Sequence, residues 1–206
     1  MAVCKTPRLF AAPSLATGIC PGCGYGIIKH MLADVLEDLA IDEEAIGVHG
    51  IGCTGYVTRH FDIDWLWAQH GRAPASATAI KRLQPENVVI TVQGDGDLCA
   101  IGCSEVMHAA VRNERITVFF LNNGIYGMTG GQMAPTTLPN QVTTTSPQGK
   151  NPELAGMPMK MTEMISMLPV AYVARGAIYN PAEIRKTKGY MKQALEAQVN
   201  NEGFSL

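Results

Sequence analysis

The chain has 206 residues, 47% of them hydrophobic and 17% charged, with a formal net charge of −2. That length supports one domain with a sizeable core, and so small a charge gives no reason to expect nucleic acid or an anionic membrane as a partner. No apolar run approaches the ~20 residues of a membrane span and the first residues lack a signal peptide's apolar core, so a cytoplasmic protein is expected.

Residues 1–18 read as a flexible amino-terminal segment that carries Cys4, a weak candidate for any site. Cys20-Pro21-Gly22-Cys23-Gly24 follows, directly ahead of an amphipathic helix with Ile27, Ile28, Met31, Leu32, Val35, Leu36 and Leu39 on one face. Ala45–His49 reads as a strand, and Cys53 stands just after it in Gly-Ile-Gly-Cys-Thr-Gly-Tyr. With Cys99 and Cys103 the chain has six cysteines, and in a cytoplasmic α/β protein they argue for metal or redox chemistry over disulfides. A thioredoxin-like pair lacks the preceding strand, and zinc would want a second CxxC or a histidine pair. An iron–sulfur cluster needs four thiolates, for which Cys53 is the natural third after Cys20 and Cys23. A structural loop with buried thiols fits the same spacing. Cys99 and Cys103 read as core or half-buried thiols.

His70-Gly71-Arg72 enters a small-residue helix, Ala73–Leu83. On the residues alone this is a helix-entry turn. Asn87–Gln93 is β-branched and apolar, as a buried parallel strand is. Gly94-Asp95-Gly96-Asp97 cannot continue it and opens a helix expected over Leu98–Arg112. Ile116–Leu121 is the next buried strand, ended by Asn122-Asn123. Asp95 and Asn123 are 28 positions apart, about one helix plus one strand of a βαβ unit, so both loops belong at the carboxyl ends of neighbouring strands. A carboxylate and an amide oxygen placed there suit a hard divalent cation that keeps phosphate oxygens in its shell, and the glycines and helix N-terminus suit the phosphates. The competing reading is a strand-to-helix turn that simply favours Gly and Asp.

Residues 134–152 form a long Pro-, Thr-, Gln- and Asn-rich loop, read as a lid or subunit-contact segment. The methionines of Met157–Met167 read as adaptable core or interface. Ala171–Ile178 reads as a strand, and Asn180-Pro181-Ala182-Glu183 opens a terminal helix with Asn as N-cap, Pro at N1 and Glu at N3. Neither an internal repeat nor a domain linker stands out.

Gly-Asp-Gly followed by Asn-Asn at just under thirty residues resembles the thiamine diphosphate signature. The wider run His70–Gly102 with Asn122–Thr137, together with the Cys-Pro-Gly-Cys-Gly and Gly-Ile-Gly-Cys motifs, resembles the β subunit of 2-oxoacid:ferredoxin oxidoreductases, and the likeness extends from Ile19 to Leu206. It implies an α/β fold, a three-layer parallel sheet of the thiamine diphosphate-binding type in a single domain. It implies an enzyme that oxidatively decarboxylates a 2-oxoacid to acyl-coenzyme A and passes electrons to ferredoxin. The implied ligands are Mg²⁺ on Asp95, Asn123 and the Ile125 carbonyl, and a [4Fe–4S] cluster on Cys20, Cys23 and Cys53. The cofactor is bordered by Ile51, Gly52, Cys53 and Thr54 at the thiazolium, by His70 and Gly71, and by Gly94, Gly96, Asp97, Gly127 and Met128 at the diphosphate. In the family the fourth cluster ligand lies in a later strand–loop, and Gly203–Leu206 resembles the start of that strand, so a chain shortened at the carboxyl end is expected.

The activating glutamate of such enzymes has no match here, Glu105 included, so an α subunit must supply it, with a γ chain or fused domain as a further partner. Family members acting on 2-oxoglutarate can carry a lysine shortly after the Gly-Ile-Gly-Cys cysteine. Thr54-Gly55-Tyr56 offers no cation there, which favours 2-oxoisovalerate with 2-oxoglutarate as the alternative. Two other classes share part of the pattern: a non-redox thiamine diphosphate decarboxylase or synthase subunit, and an iron–sulfur or zinc structural subunit.

Overall fold

Four strands carry the fold: β1 (Ala45–His49), β2 (Asp64–Trp67), β3 (Val88–Gly94) and β4 (Thr117–Leu121). The computed structural model describes residues 7–10, 18–59 and 61–206, so Cys4 lies outside the described residues. The sheet order is β2-β1-β3-β4 and every pairing is parallel. The order reverses between β1 and β3, and in open parallel sheets that switch point is where loops part and ligands sit. The four loops that follow these strands therefore share one end of the sheet.

The helices are α1 (Tyr25–Asp38), α2 (Thr54–Thr58), α3 (Ala73–Leu83), α4 (Cys103–Val111), α5 (Pro152–Ala155), α6 (Met161–Ser166) and α7 (Pro181–Val199). Alternate residues of β3 face opposite layers, as strand geometry requires. Val88, Ile90 and Val92 join one core with Leu32, Leu36 and Leu195 from α1 and α7. Val89 joins the other with Ala77, Val106 and Ile165 from α3, α4 and α6. The result is the expected three-layer α/β arrangement. Full burial of each leucine contributes about 2 kcal/mol. Ile27, assigned to the buried face of α1, is exposed instead.

Two boundaries differ from expectation. The helix expected over Leu98–Arg112 is a π-helical stretch, Gly96–Ile101, then α4, joined at Gly102. The expected strand over Ala171–Ile178 shrinks to a single bridge at Tyr172. Farther along that run Ala177 gives its N–H to Thr187 Oγ1 (2.9 Å) and takes the Thr187 hydroxyl on its carbonyl (2.7 Å), so α7 uses backbone groups a strand would need. Ser205 bridges in parallel to both Thr117 and Tyr172, extending the sheet past β4. The terminal helix opens as expected, with Asn180 Oδ1 accepting from Glu183 N at 2.9 Å.

The segment read as a lid is held down by hydrogen bonds. After the short hairpin of β5 (Ile125–Tyr126) and β6 (Gln132–Met133), Thr137 Oγ1 donates to the Gly124 carbonyl at 2.6 Å. Buried Lys150 reaches the Thr137 carbonyl at 3.0 Å, and Leu138 N–H donates to Gln141 Oε1 at 2.9 Å.

Candidate functional site

The loop after β3 and the loop after β4 meet on the carboxylate of Asp95. Asp95 is buried, and its Oδ1 accepts from Gly96 N at 2.8 Å. Its Oδ2 takes the hydroxyl of Thr136 at 3.2 Å, and backbone N–H groups of Gly124 and Ile125 also face it. Thr136 lies within hydrogen-bond distance of Asn122 Oδ1 as well, at 2.7 Å, so it ties the aspartate to the paired asparagines. Asn123 is exposed, with Oδ1 accepting from Ile125 N at 3.2 Å. Burial pushes the Asp95 carboxyl up, against the lowering effect of the hydrogen bonds from Gly96, Gly124, Thr136 and Ile125. A buried carboxylate short of positive charge beside an amide oxygen is a donor set that fits a hard cation.

Asp97 stands elsewhere. Its carboxylate is turned inward: Oδ1 accepts from Ile51 N (3.0 Å), Gly71 N (2.8 Å) and His70 Nδ1 (2.6 Å), and Oδ2 from Gln93 Nε2 (2.5 Å). Only 1% of its surface is exposed. Its carboxylate ties together the loops after β1, β2 and β3. Gly71, at φ +77°, packs backbone to backbone on Gly102, where an added Cβ would come within 2.6 Å of the Gly102 nitrogen. Its position answers first to that close approach.

The cysteine motifs arrive at the same end. Cys20 is exposed, and Cys23 and Cys53 are half-buried. Burial first, then Cys23 and Cys20, push the Cys53 thiol up. Among the described residues no three His, Cys, Asp or Glu side chains converge closely enough to hold a metal ion, so the three thiols are neighbours that do not yet share a point. A Cβ on Gly127 would sit 3.4 Å from Cys53 Sγ and 3.7 Å from Asn123 Nδ2, which places Gly127 between the thiol and the amide. Thr54 Oγ1 is fully buried without a hydrogen-bond partner, beside Gly94. Such an orphan hydroxyl suits a polar ligand at that loop. Met128 is about half exposed at the rim of the β5–β6 hairpin. Cys99 is buried on the π-helical stretch, its thiol pushed up to about 12 by burial and by Asp95 and Cys103, which makes it an inert core thiol.

Two participants escape a sequence reading. Tyr25, directly after the Cys-Pro-Gly-Cys-Gly motif, donates to the Leu121 carbonyl at 3.0 Å, and burial with Asp95, Cys53 and Cys23 nearby raises its phenol. Thr136 lies in the loop read as a lid. The signals, a polar-tipped aromatic at a helix start and threonines 13 and 14 residues past Asn123, are too common to be specific. A cavity of about 990 Å³ opens next to Cys23, Asn122, Asn123 and Thr136 and runs along β4 and α7. Neither Asp95 nor His70 lines it, so it adjoins the cation site rather than forming it.

Known proteins resemble this chain in sequence and fold. Residues 46–206 match the family described as thiamine pyrophosphate enzyme, C-terminal TPP binding domain. The ketoisovalerate oxidoreductase subunit VorA of Methanothermobacter thermautotrophicus is 42% identical over 95% of this chain and 41% of its own length. The 2-oxoglutarate synthase subunit KorB of Archaeoglobus fulgidus is 38% identical over 93% of the chain and 68% of its own. A solved 2-oxoglutarate:ferredoxin oxidoreductase from Magnetococcus marinus, with 2-oxoglutarate, coenzyme A and succinyl-CoA bound, superposes with a TM-score of 0.82 at 27% identity, covering 98% of this chain and 65% of that one. The chain thus spans about two fifths of the length of the ketoisovalerate oxidoreductase relative and about two thirds of the other two. From the matched domain, these relatives and the shared architecture, the chain belongs to the thiamine pyrophosphate-binding β subunits of the 2-oxoacid:ferredoxin oxidoreductases.

Proposed function

We propose that this chain holds Mg²⁺ and thiamine diphosphate for the oxidative decarboxylation of a 2-oxoacid to acyl-coenzyme A, with the electrons delivered to ferredoxin. The observation that carries the reading is the meeting of buried Asp95 with the Asn122–Ile125 turn, one residue contact away from Cys53. Asp95, Asn123 and the Ile125 carbonyl are the cation ligands. Gly94, Gly96, Gly127 and Met128 line the diphosphate, Ile51, Gly52, Cys53 and Thr54 border the thiazolium, and His70 and Gly71 flank the cofactor. When bound, thiamine diphosphate supplies the carbanion that adds to the 2-oxoacid carbonyl and retains the electron pair as CO₂ leaves. Cys20, Cys23 and Cys53 provide three of the four thiolates that a [4Fe–4S] cluster requires.

The glutamate that activates the cofactor belongs to an α subunit, with a γ chain or fused domain completing the assembly. No helix among the described residues is long and apolar enough to cross a membrane. For the substrate, buried Thr54 and the packing of the Tyr56 ring against Gly18 leave no cation just after Cys53 to meet a distal carboxylate, which supports 2-oxoisovalerate over 2-oxoglutarate. The test is anaerobic co-expression with the α subunit, followed by coenzyme A-dependent reduction of a viologen dye across a panel of 2-oxoacids. Reduction that needs both subunits and is fastest with branched 2-oxoacids is expected. An assembled complex without thiamine diphosphate would overturn the reading.

A further inference from the structure

We infer that Asp97 is a positioning residue that sets His70 to work through its Nε2 nitrogen, an inference that rests on the function proposed above. Three groups besides His70 donate N–H to the Asp97 carboxylate: two backbone amides and the Gln93 amide. On its other side the Gln93 amide meets Thr91, whose hydroxyl donates to Oε1 at 3.3 Å. The Asp97 carboxylate therefore acts only as an acceptor, and the proton at the 2.6 Å contact sits on His70 Nδ1. When one ring nitrogen is committed in this way, the other is the nitrogen left for a ligand. The His70 side chain keeps 38% of its surface exposed, while Asp97 keeps none.

The same carboxylate draws three loops to one point. Ile51 follows β1, His70 and Gly71 follow β2, and Gln93 belongs to β3, so the tie spans the switch point of the sheet. Gly50 makes room for it, since a side chain there would collide with the Asp97 carboxylate. Loop positions and imidazole orientation are thereby coupled, and in the neutral ring Nε2 is left as a hydrogen-bond acceptor toward the bound ligand.

Two substitutions separate the ring nitrogens. In the assembled complex, His70→Asn keeps an amide at the Nδ1 place, so the Asp97 bond survives and the distal nitrogen is lost. His70→Gln reaches the Nε2 place with its side-chain amide, whose oxygen accepts there, and gives up the Asp97 bond. We expect His70→Asn to weaken thiamine diphosphate binding by calorimetry and lower kcat, each about tenfold or more, with KM for the 2-oxoacid little changed. His70→Gln should retain most of both. Asp97→Asn should show the His70→Asn pattern, and the double variant should be no worse than the poorer single one. Thermal melting of each complex guards against simple misfolding. The inference is overturned if His70→Asn behaves as wild type, or if His70→Gln is the more damaged of the two. A wild-type complex that binds no thiamine diphosphate overturns the underlying function as well, whereas wild-type binding with a silent His70→Asn overturns this inference alone.

Discussion

Residues two apart in one glycine turn divide the labour at this site. Asp95 offers a carboxylate that burial has made reluctant to ionise, and Asp97 spends both oxygens on the protein. Because the Asp95 carboxyl is raised, the cation-free fold loses stability as pH rises from the ordinary carboxylate range through the raised value. Cation binding runs the other way: it needs the carboxylate, so Mg²⁺ affinity should fall as pH drops through that same window. Thr136 donates one of the bonds that oppose the rise. Thr136→Val should therefore weaken Mg²⁺-dependent cofactor binding by about 1–2 kcal/mol and move the acid limb of that binding to higher pH, as isothermal titration over a pH series would read. An unchanged limb would show that Thr136 does not act on Asp95.

At the scale of elements, the turn after β2 and the π-helical stretch after β3 are fitted to each other by glycine. Gly71→Ala meets both a left-handed backbone and immovable backbone atoms of Gly102, so a loss of about 3 kcal/mol is expected by denaturant unfolding. Gly189→Ala, in the interior of α7 with open space around the added methyl, should instead stabilise by about 0.5–1 kcal/mol. These two glycines look alike in the sequence. The strands β1, β3 and β4 were legible because each is a short buried run ended by Gly, Asp or Asn. β2 was not, because Asp64-Trp65-Leu66-Trp67 is an edge strand whose outward side chains follow no buried pattern. The division of the helix after Gly96 also escaped, since it is imposed by the approach of Gly71, 31 positions earlier than Gly102. Tertiary fit, rather than local propensity, decided both.

Across the whole molecule, ion pairs outside the site join elements distant in sequence, as Arg82 of α3 joins Glu114 ahead of β4. Glu114 is buried against Arg82 and Arg112; burial opposes its charge, yet the two guanidiniums outweigh that and hold the carboxyl below its ordinary range. That stability is present above the unfolded glutamate's pKa and is lost as pH falls through the lowered one. Glu114→Gln should cost about 1 kcal/mol at neutral pH and flatten the acid limb of the stability profile, and an acid limb as steep as wild type would contradict the assignment. The candidate site was legible to a similar depth. Asp95, Asn123 and Cys53 are grouped as their motifs suggest, because a parallel sheet delivers successive loops to one end. The inward turn of Asp97 and the entry of Thr136 were not legible, since both depend on which neighbour reaches a carboxylate first.

We propose that Asp95, with the turn that follows β4, holds a divalent cation on a diphosphate. Calorimetric titration of thiamine diphosphate into the assembled complex, with Mg²⁺ and with chelator, for wild type and Asp95→Asn, tests it most directly. Binding that requires Mg²⁺ and falls by at least about tenfold in the variant is predicted, consistent with loss of a charged ligand to the metal. Equal binding by the two proteins, or wild-type binding indifferent to chelation, would contradict it.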